Sequence, residues 1–159
     1  MSEIRLLQKE DVKKLKNCVL FSNFSLENIG YFLEDALVLS YNEGEYIFRE
    51  KEKSDSMYII IEGKVKISNI AQDKEVIFTY LKNGDFFGEI AMLTKQQRTS
   101  DVSTVEPSEL VMLTSENFEK MRIKYPDLLS DLYKQMLLIV CNRLKITDQK
   151  VLIKTIFRG

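Results

Sequence analysis

The stretch with the most chemical content runs Asn83-Gly84-Asp85-Phe86-Phe87-Gly88-Glu89-Ile90-Ala91-Met92-Leu93, followed by Gln97-Arg98-Thr99-Ser100. Gly88 has no Cβ, so a ligand can approach its backbone closely. Ile90 to Leu93 favour a single helical turn, whose free N–H groups would start near Gly88 and Glu89 and attract an anion. Arg98 offers a planar fork of charged donors and Thr99 adds a hydroxyl; with the amides, these make a phosphate site. Glu89 is wrong for phosphate but right for accepting hydrogen bonds from sugar hydroxyls. A carboxylate and an arginine at this spacing therefore point to a ligand with ribose and phosphate close together. The competing account is an ordinary surface ion pair between Glu89 and Arg98.

These residues need a scaffold, and the chain offers three zones. Residues 1–36 read as helical: Asp11–Asn17 is a charged turn or two, and Ser25 caps a helix with Leu26, Ile29, Phe32 and Leu33 on one face. Residues 37–113 read as short strands at Leu37–Tyr41, Glu45–Arg49, Met57–Glu62, Lys64–Ser68, Glu75–Leu81, Val102–Val105 and Glu109–Leu113. Asn42-Glu43-Gly44, Glu62-Gly63, Gln72-Asp73 and Asn83-Gly84-Asp85 punctuate them as turns. This spacing suggests a sandwich or jelly-roll barrel. Residues 114–159 are helical again, with Thr114 or Ser115 capping a short helix to Lys124 and Pro126 in the first turn of a long one. From Asp127 to about Lys150 that helix would run about 24 residues, or ~36 Å. It carries two apolar stripes: Leu129, Leu132, Met136 and Ile139, and beside them Tyr133, Leu137, Val140 and Leu144. One stripe would pack on the β-domain and the other could meet a second copy, giving a homodimer.

Composition narrows the function classes. A chain of 159 residues with 45% hydrophobic and 30% charged residues fits one globular domain, here 1–159, with a core of its own. The absence of His removes imidazole bases and the ordinary His-ligated metal centre. The two cysteines, Cys18 and Cys141, form no C-x-x-C pair and suit a reduced cytoplasmic protein. No apolar run approaches the ~20 residues of a membrane span, and no leader-like run follows Met1. Net charge is −1, with residues 21–140 holding 13 basic against 20 acidic side chains. That acidic body argues against direct nucleic-acid binding.

Phe87-Gly88-Glu89-Ile90-Ala91, then Arg98-Thr99, resembles the phosphate-binding cassette of cyclic nucleotide-binding domains. That family includes the regulatory subunits of cyclic-AMP-dependent kinase, cyclic-nucleotide-gated channels and the bacterial catabolite activator protein. Asp55-Ser56-Met57-Tyr58-Ile59-Ile60 and Glu62-Gly63-Lys64-Val65 resemble its early strands, with Gly44 and Gly63 at its turn glycines. Asn142-Arg143-Leu144-Lys145-Ile146-Thr147 resembles the long helix that closes over the base in the catabolite activator group. The similarity spans roughly residues 15–152.

The resemblance implies a mainly β fold: a jelly-roll barrel with N-terminal helices and a long C-terminal helix. It implies that Glu89 accepts from the ribose 2′-hydroxyl, that Gly88 gives close backbone approach, and that Arg98 pairs with the cyclic phosphate, helped by Thr99 and the Ile90 and Ala91 amides. Ile67, Phe78 and Thr79 would line the wall near sugar and base; Arg143, Leu144 and Thr147 would come from the C-terminal helix, Thr147 toward the purine edge. The ligand implied is cyclic AMP, with cyclic GMP the alternative; no metal, no cofactor and no catalytic residue is implied. The sequence departs from the family at Ser100, where a small apolar residue is usual. It departs again at Asp148, where the catabolite activator group has a serine reaching toward the neighbouring subunit's ligand. Only nine residues follow Lys150, too few for a helix-turn-helix domain. The expected protein is a cyclic-nucleotide sensor acting through its C-terminal helix on an effector yet to be named. The alternatives are an interaction module without ligand and a shortened regulator that pairs with DNA-binding relatives.

Overall fold

The computed structural model describes residues 1 and 3–156, with backbone alone at 154 and 155; residues 157–159 of the expected C-terminal zone lie outside the described residues. The β zone alternates as a two-sided wall should. In β4 (Ser56–Glu62), Met57, Ile59 and Ile61 face a core beneath the helices, while Tyr58 and Ile60 face a second core inside the barrel. A strand buried on both faces reads as an unbroken apolar run, and Met57–Ile61 is one. Phe86 and Phe87, which form the two-residue β7, divide between the same two cores.

Among the described residues, nine strands build two antiparallel sheets that make a jelly-roll barrel. One has the order β1 (Glu3–Leu6), β2 (Leu37–Tyr41), β9 (Ser108–Thr114), β4, β7. The other has the order β3 (Tyr46–Phe48), β8 (Asp101–Thr104), β5 (Lys64–Ala71), β6 (Lys74–Lys82). Gln72 and Asp73 both take positive φ, 52° and 59°, as the tight hairpin between β5 and β6 requires. In the β5–β6 ladder Ile67 pairs with Thr79 and Ser68 with Ile77. Phe78 is thus an extra residue, a bulge that turns it with Thr79 toward the same hollow.

The helical zones hold with two corrections. Helices α1 (Lys9–Leu15) and α2 (Leu26–Phe32) fall where expected, and the Ser25 hydroxyl accepts from Asn28 N–H at 3.1 Å. Glu3–Leu6, inside the zone read as helical, is instead strand β1 paired with β2. Its signal is hidden because Ile4 and Leu6 are exposed, so no apolar alternation marks it. An ion pair holds it: Arg5 donates to both Asp11 oxygens at 2.6 and 2.9 Å, and Asp11 also accepts Gln8 N–H at 2.8 Å. Helix α3 is Glu89–Thr94, and α4 (Ser115–Lys124) opens on a capping box between Thr114 and Asn117. The second correction is length: α5 runs Pro126–Ile156, 31 residues, past the expected end near Lys150.

The two stripes of α5 part company. Leu129, Leu132 and Met136 are buried in the core, with Ile139 packed against it; Tyr133, Leu137 and Leu144 are exposed. No helix among the described residues is long and apolar enough to cross a membrane.

The Arg5 hydrogen bonds hold the Asp11 carboxyl below its ordinary pKa, against the opposing effect of burial. A carboxylate whose folded pKa is depressed contributes stability above its unfolded value, near ~3.9, and loses it as pH falls through the folded value. Asp11→Asn should therefore lower stability at pH 7 by about 1.5–3 kcal/mol, the range for hydrogen bonds to a charged group. The deficit against wild type should shrink below pH ~4, as read from urea denaturation across pH.

Candidate functional site

Arg98 is the organising residue of the site. Its backbone is clamped by the loop before β4: its N–H donates to Glu52 O and its carbonyl accepts Lys51 N–H, both at 2.8 Å. That turns the side chain inward, where it is 3% exposed. Nη1 donates to Gly88 O at 2.9 Å, and Nη2 donates to the hydroxyls of Ser54 and, at 3.2 Å, Ser56. The guanidinium lies 3.9 Å from the centre of the Phe48 ring, a cation–π contact made inside the barrel. Its Nε is buried with no hydrogen-bond partner among the described residues. Burial holds the Arg98 pKa below the ordinary arginine value, yet a guanidinium stays protonated in proteins.

Gly88 is needed here on two counts. It sits at φ 82° as the residue before α3, and a Cβ on it would lie 2.6 Å from Arg98 Nη1. The N–H groups of Glu89, Ile90 and Ala91 precede the first helical bond of α3, which Met92 makes back to Gly88 O at 3.4 Å. Glu89 opens that turn and is 8% exposed. Its carboxylate and Arg98 are therefore both buried, and the account of a surface ion pair falls. What faces Glu89 is Arg143 of α5, with Nη1 3.8 Å from the Glu89 carboxylate and Nη2 3.8 Å from that of Asp85.

These groups share one cavity of about 240 Å³. Ten expected residues line it: Ile67, Phe78, Thr79, Gly88, Glu89, Ile90, Ala91, Arg98, Thr99 and Arg143. Leu144 and Thr147 do not; Leu144 is 61% exposed, and Thr147 bonds its hydroxyl back to Arg143 O at 3.0 Å. Their place on α5, one and four residues past Arg143, leaves both beyond the cavity's rim. Phe87 and Ser100, quoted with the cassette but given no role there, line the cavity as well, and Phe48 and Val102, which also line it, were not anticipated. Nor were Ser54 and Ser56, although hydroxyls two residues apart at a strand's start share a face, which was a readable signal. Behind Arg98 a wider groove of about 1050 Å³ runs past Ser54, Lys53 and Lys95. The arginine is the partition between the two hollows.

The cavity thus offers a buried cation, a buried carboxylate facing Arg143, first-turn amides and an apolar wall. A model described as "Cyclic nucleotide-binding domain" matches residues 38–125, more than half of the chain. The chain belongs to the cyclic nucleotide-binding domain family. Neuropathy target esterase sws of Drosophila willistoni is 33% identical over 117 residues, which are 72% of this chain but 7% of that protein. Among solved structures, a cyclic nucleotide-binding domain from Methylobacillus flagellatus superposes with a TM-score of 0.81 at 17% identity, covering 92% of this chain and 83% of its own. The regulatory domain of Toxoplasma gondii PKA, solved with cAMP, gives 0.62 at 23% identity over 71% of this chain and 44% of its own. These likenesses show the fold.

Burial is the main influence on Glu89 and raises its pKa, although its own backbone N–H, Arg143 and Arg98 pull the other way. An acid whose folded pKa exceeds its unfolded value adds most stability below the unfolded value, near ~4.3, and loses it as pH rises through the folded one. Glu89→Gln should therefore stabilise the empty protein at pH 7, because it removes a charge whose burial outweighs the pull of the groups around it. The gain should close below pH ~4 in the same denaturation series.

Proposed function

We propose that this chain is a cyclic-nucleotide sensor unit, not an enzyme, that takes a cyclic mononucleotide in the Glu89–Arg98 cavity. The observation that carries this is the Arg98 side chain, buried beside an apolar wall with its Nε unsatisfied. Leaving a buried charged donor unpaired is costly, and a phosphate oxygen arriving in the cavity offsets that cost. In this reading Arg98 pairs with the cyclic phosphate, with the Ile90 and Ala91 amides and the Thr99 hydroxyl beside it. Glu89 accepts from the ribose 2′-hydroxyl, and Gly88 lets sugar and phosphate approach the backbone. Ile67, Phe78 and Thr79 form the wall beside sugar and base.

At about 240 Å³ the cavity falls short of the ~300–1,000 Å³ typical of small-molecule pockets. It suits the sugar and phosphate, and the base then extends toward α5. There Arg143 already stands at the rim, and a shift of α5 would bring Leu144 and Thr147 over the base, Thr147 toward its polar edge. Binding and helix position are then linked: ligand favours the closed helix, as a population shift. Cyclic AMP is the favoured ligand, because Thr147 can accept from the adenine amino group; cyclic GMP is the alternative. The exposed stripe of Tyr133, Leu137 and Leu144 is the face on which a second copy would pair. We place the protein in the cytoplasm, with residues 1–159 as one unit signalling to an effector protein.

Isothermal titration with cyclic AMP, then cyclic GMP, tests the reading. One-to-one binding should appear in the wild type, and Arg98→Ala should weaken it by about 2–5 kcal/mol, the range for removing one partner of a buried charge pair. Arg98→Lys, which keeps the charge without the fork, should fall between. No heat with either nucleotide would favour an interaction module of the same fold, and an unchanged Arg98→Ala affinity would move the site elsewhere.

A further inference from the structure

Arg143 stands between two carboxylates. Beyond Val140 every described side chain of α5 is exposed except Arg143. Its guanidinium lies 4.5 Å from the centre of the Phe86 ring, so an apolar face supports it from below. Its two terminal nitrogens reach Asp85 and Glu89 at an identical 3.8 Å. Neither contact is a hydrogen bond, and Nη2 is buried without a hydrogen-bond partner among the described residues. Asp85 does not line the cavity; it belongs to the turn between β6 and β7, where its other oxygen accepts Lys82 N–H at 3.0 Å. The arginine is thus shared between an anchor outside the cavity and an acid in the cavity wall, and it is fully bonded to neither.

We propose that Asp85 is a positioning residue that holds Arg143 back from the cavity, so that ligand affinity and the placement of α5 are set by competition between Asp85 and the occupied site. This inference rests on the cyclic-nucleotide reading of the cavity. The sign follows from charge. In the empty protein Asp85, Glu89, Arg98 and Arg143 sum to zero. A cyclic mononucleotide brings one negative charge to the Glu89 side of Arg143 and none to the Asp85 side. The added field draws the guanidinium inward, and the helix carrying it follows. Thr147, whose hydroxyl is bonded to the Arg143 carbonyl, moves with that turn. Asp85 opposes this step, so it lowers affinity while keeping the empty protein's helix in a defined place. By reciprocity, whatever weakens the Asp85 hold must strengthen ligand binding.

The test is a double-mutant cycle on Asp85→Asn and Arg143→Met, read by titration with cyclic AMP and cyclic GMP. An asparagine oxygen still accepts Lys82 N–H, so the turn keeps its bond and only the charge is lost. Asp85→Asn alone should bind about 2- to 5-fold tighter, the scale of one partly exposed charge pair. Arg143→Met alone should bind more weakly, and adding Asp85→Asn to it should change nothing. An Asp85→Asn affinity equal to or weaker than wild type, or the same gain in both backgrounds, overturns the proposal while leaving the cavity's ligand intact. If the wild type binds neither nucleotide, the ligand reading falls and the competition with it. Hydrogen exchange on the empty proteins then decides the tether alone: amides 141–153 should exchange faster in Arg143→Met than in wild type, and equal rates overturn it.

Discussion

Everything near the site follows from putting one guanidinium inside a barrel wall. A buried cation needs its donors met, and Arg98 makes three hydrogen bonds to groups from two places. Gly88 O lies in the turn into α3, and Ser54 and Ser56 lie at the entry to β4. Each partner then constrains its own neighbourhood. The residue at 88 must do without a Cβ because Nη1 occupies that space. The loop 50–53 must run beside Arg98 to clamp its backbone, and the ring of Phe48 must cover the guanidinium's face. Since charges are buried only where geometry satisfies them, these choices form one interlocked set.

The barrel supplies the rigidity this needs, because its main wall is buried on both faces. Met57, Ile59 and Ile61 look one way from β4 while Tyr58 and Ile60 look the other, and Val111 and Leu110 repeat the arrangement on its neighbour β9. Phe86 and Phe87 extend that double-sided packing to the residue before Gly88. The cassette therefore starts from a fixed point: Phe87 stacks on Tyr58 at 5.4 Å between ring centroids. Phe86, on the other face, is the floor under Arg143. Adjacent phenylalanines thus connect the inner core, the outer core and the cassette through a strand of only two residues.

The sequence reveals most where local chemistry and packing agree. The strands of the barrel, the Ser25 and Thr114 caps and the buried stripe of α5 all carry period or capping signals that tertiary packing reinforces. Strand β1 escapes notice because its stability comes from Arg5 reaching Asp11, six residues on in sequence, rather than from an apolar period. The cassette is legible through Gly88, Glu89 and Arg98, whose types and spacing are unusual for a plain surface. The residues that hold Arg98 are less so, since a serine's partner forty-odd residues away leaves no local mark. Asp85 reads only as a turn residue, and its ion pair with Arg143 exists because α5 passes over that turn.

The long helix is secured unevenly, and that unevenness decides how little energy can redirect it. Leu129, Leu132 and Met136 fix its first half in the core, Ile139 and Val140 are packed only in part, and beyond them Arg143 is the one described side chain not exposed. A segment with few buried apolar contacts opens at a small fraction of the global free energy. Repositioning it would therefore need no rearranged core, and a change of about 1 kcal/mol in one ion pair would shift such an equilibrium several-fold. A buried arginine held by three hydrogen bonds and a second arginine held by two long ion pairs over a ring are thus complementary. In the proposed reading the first receives an anion at a rigid point, and the second lets the helix respond to it.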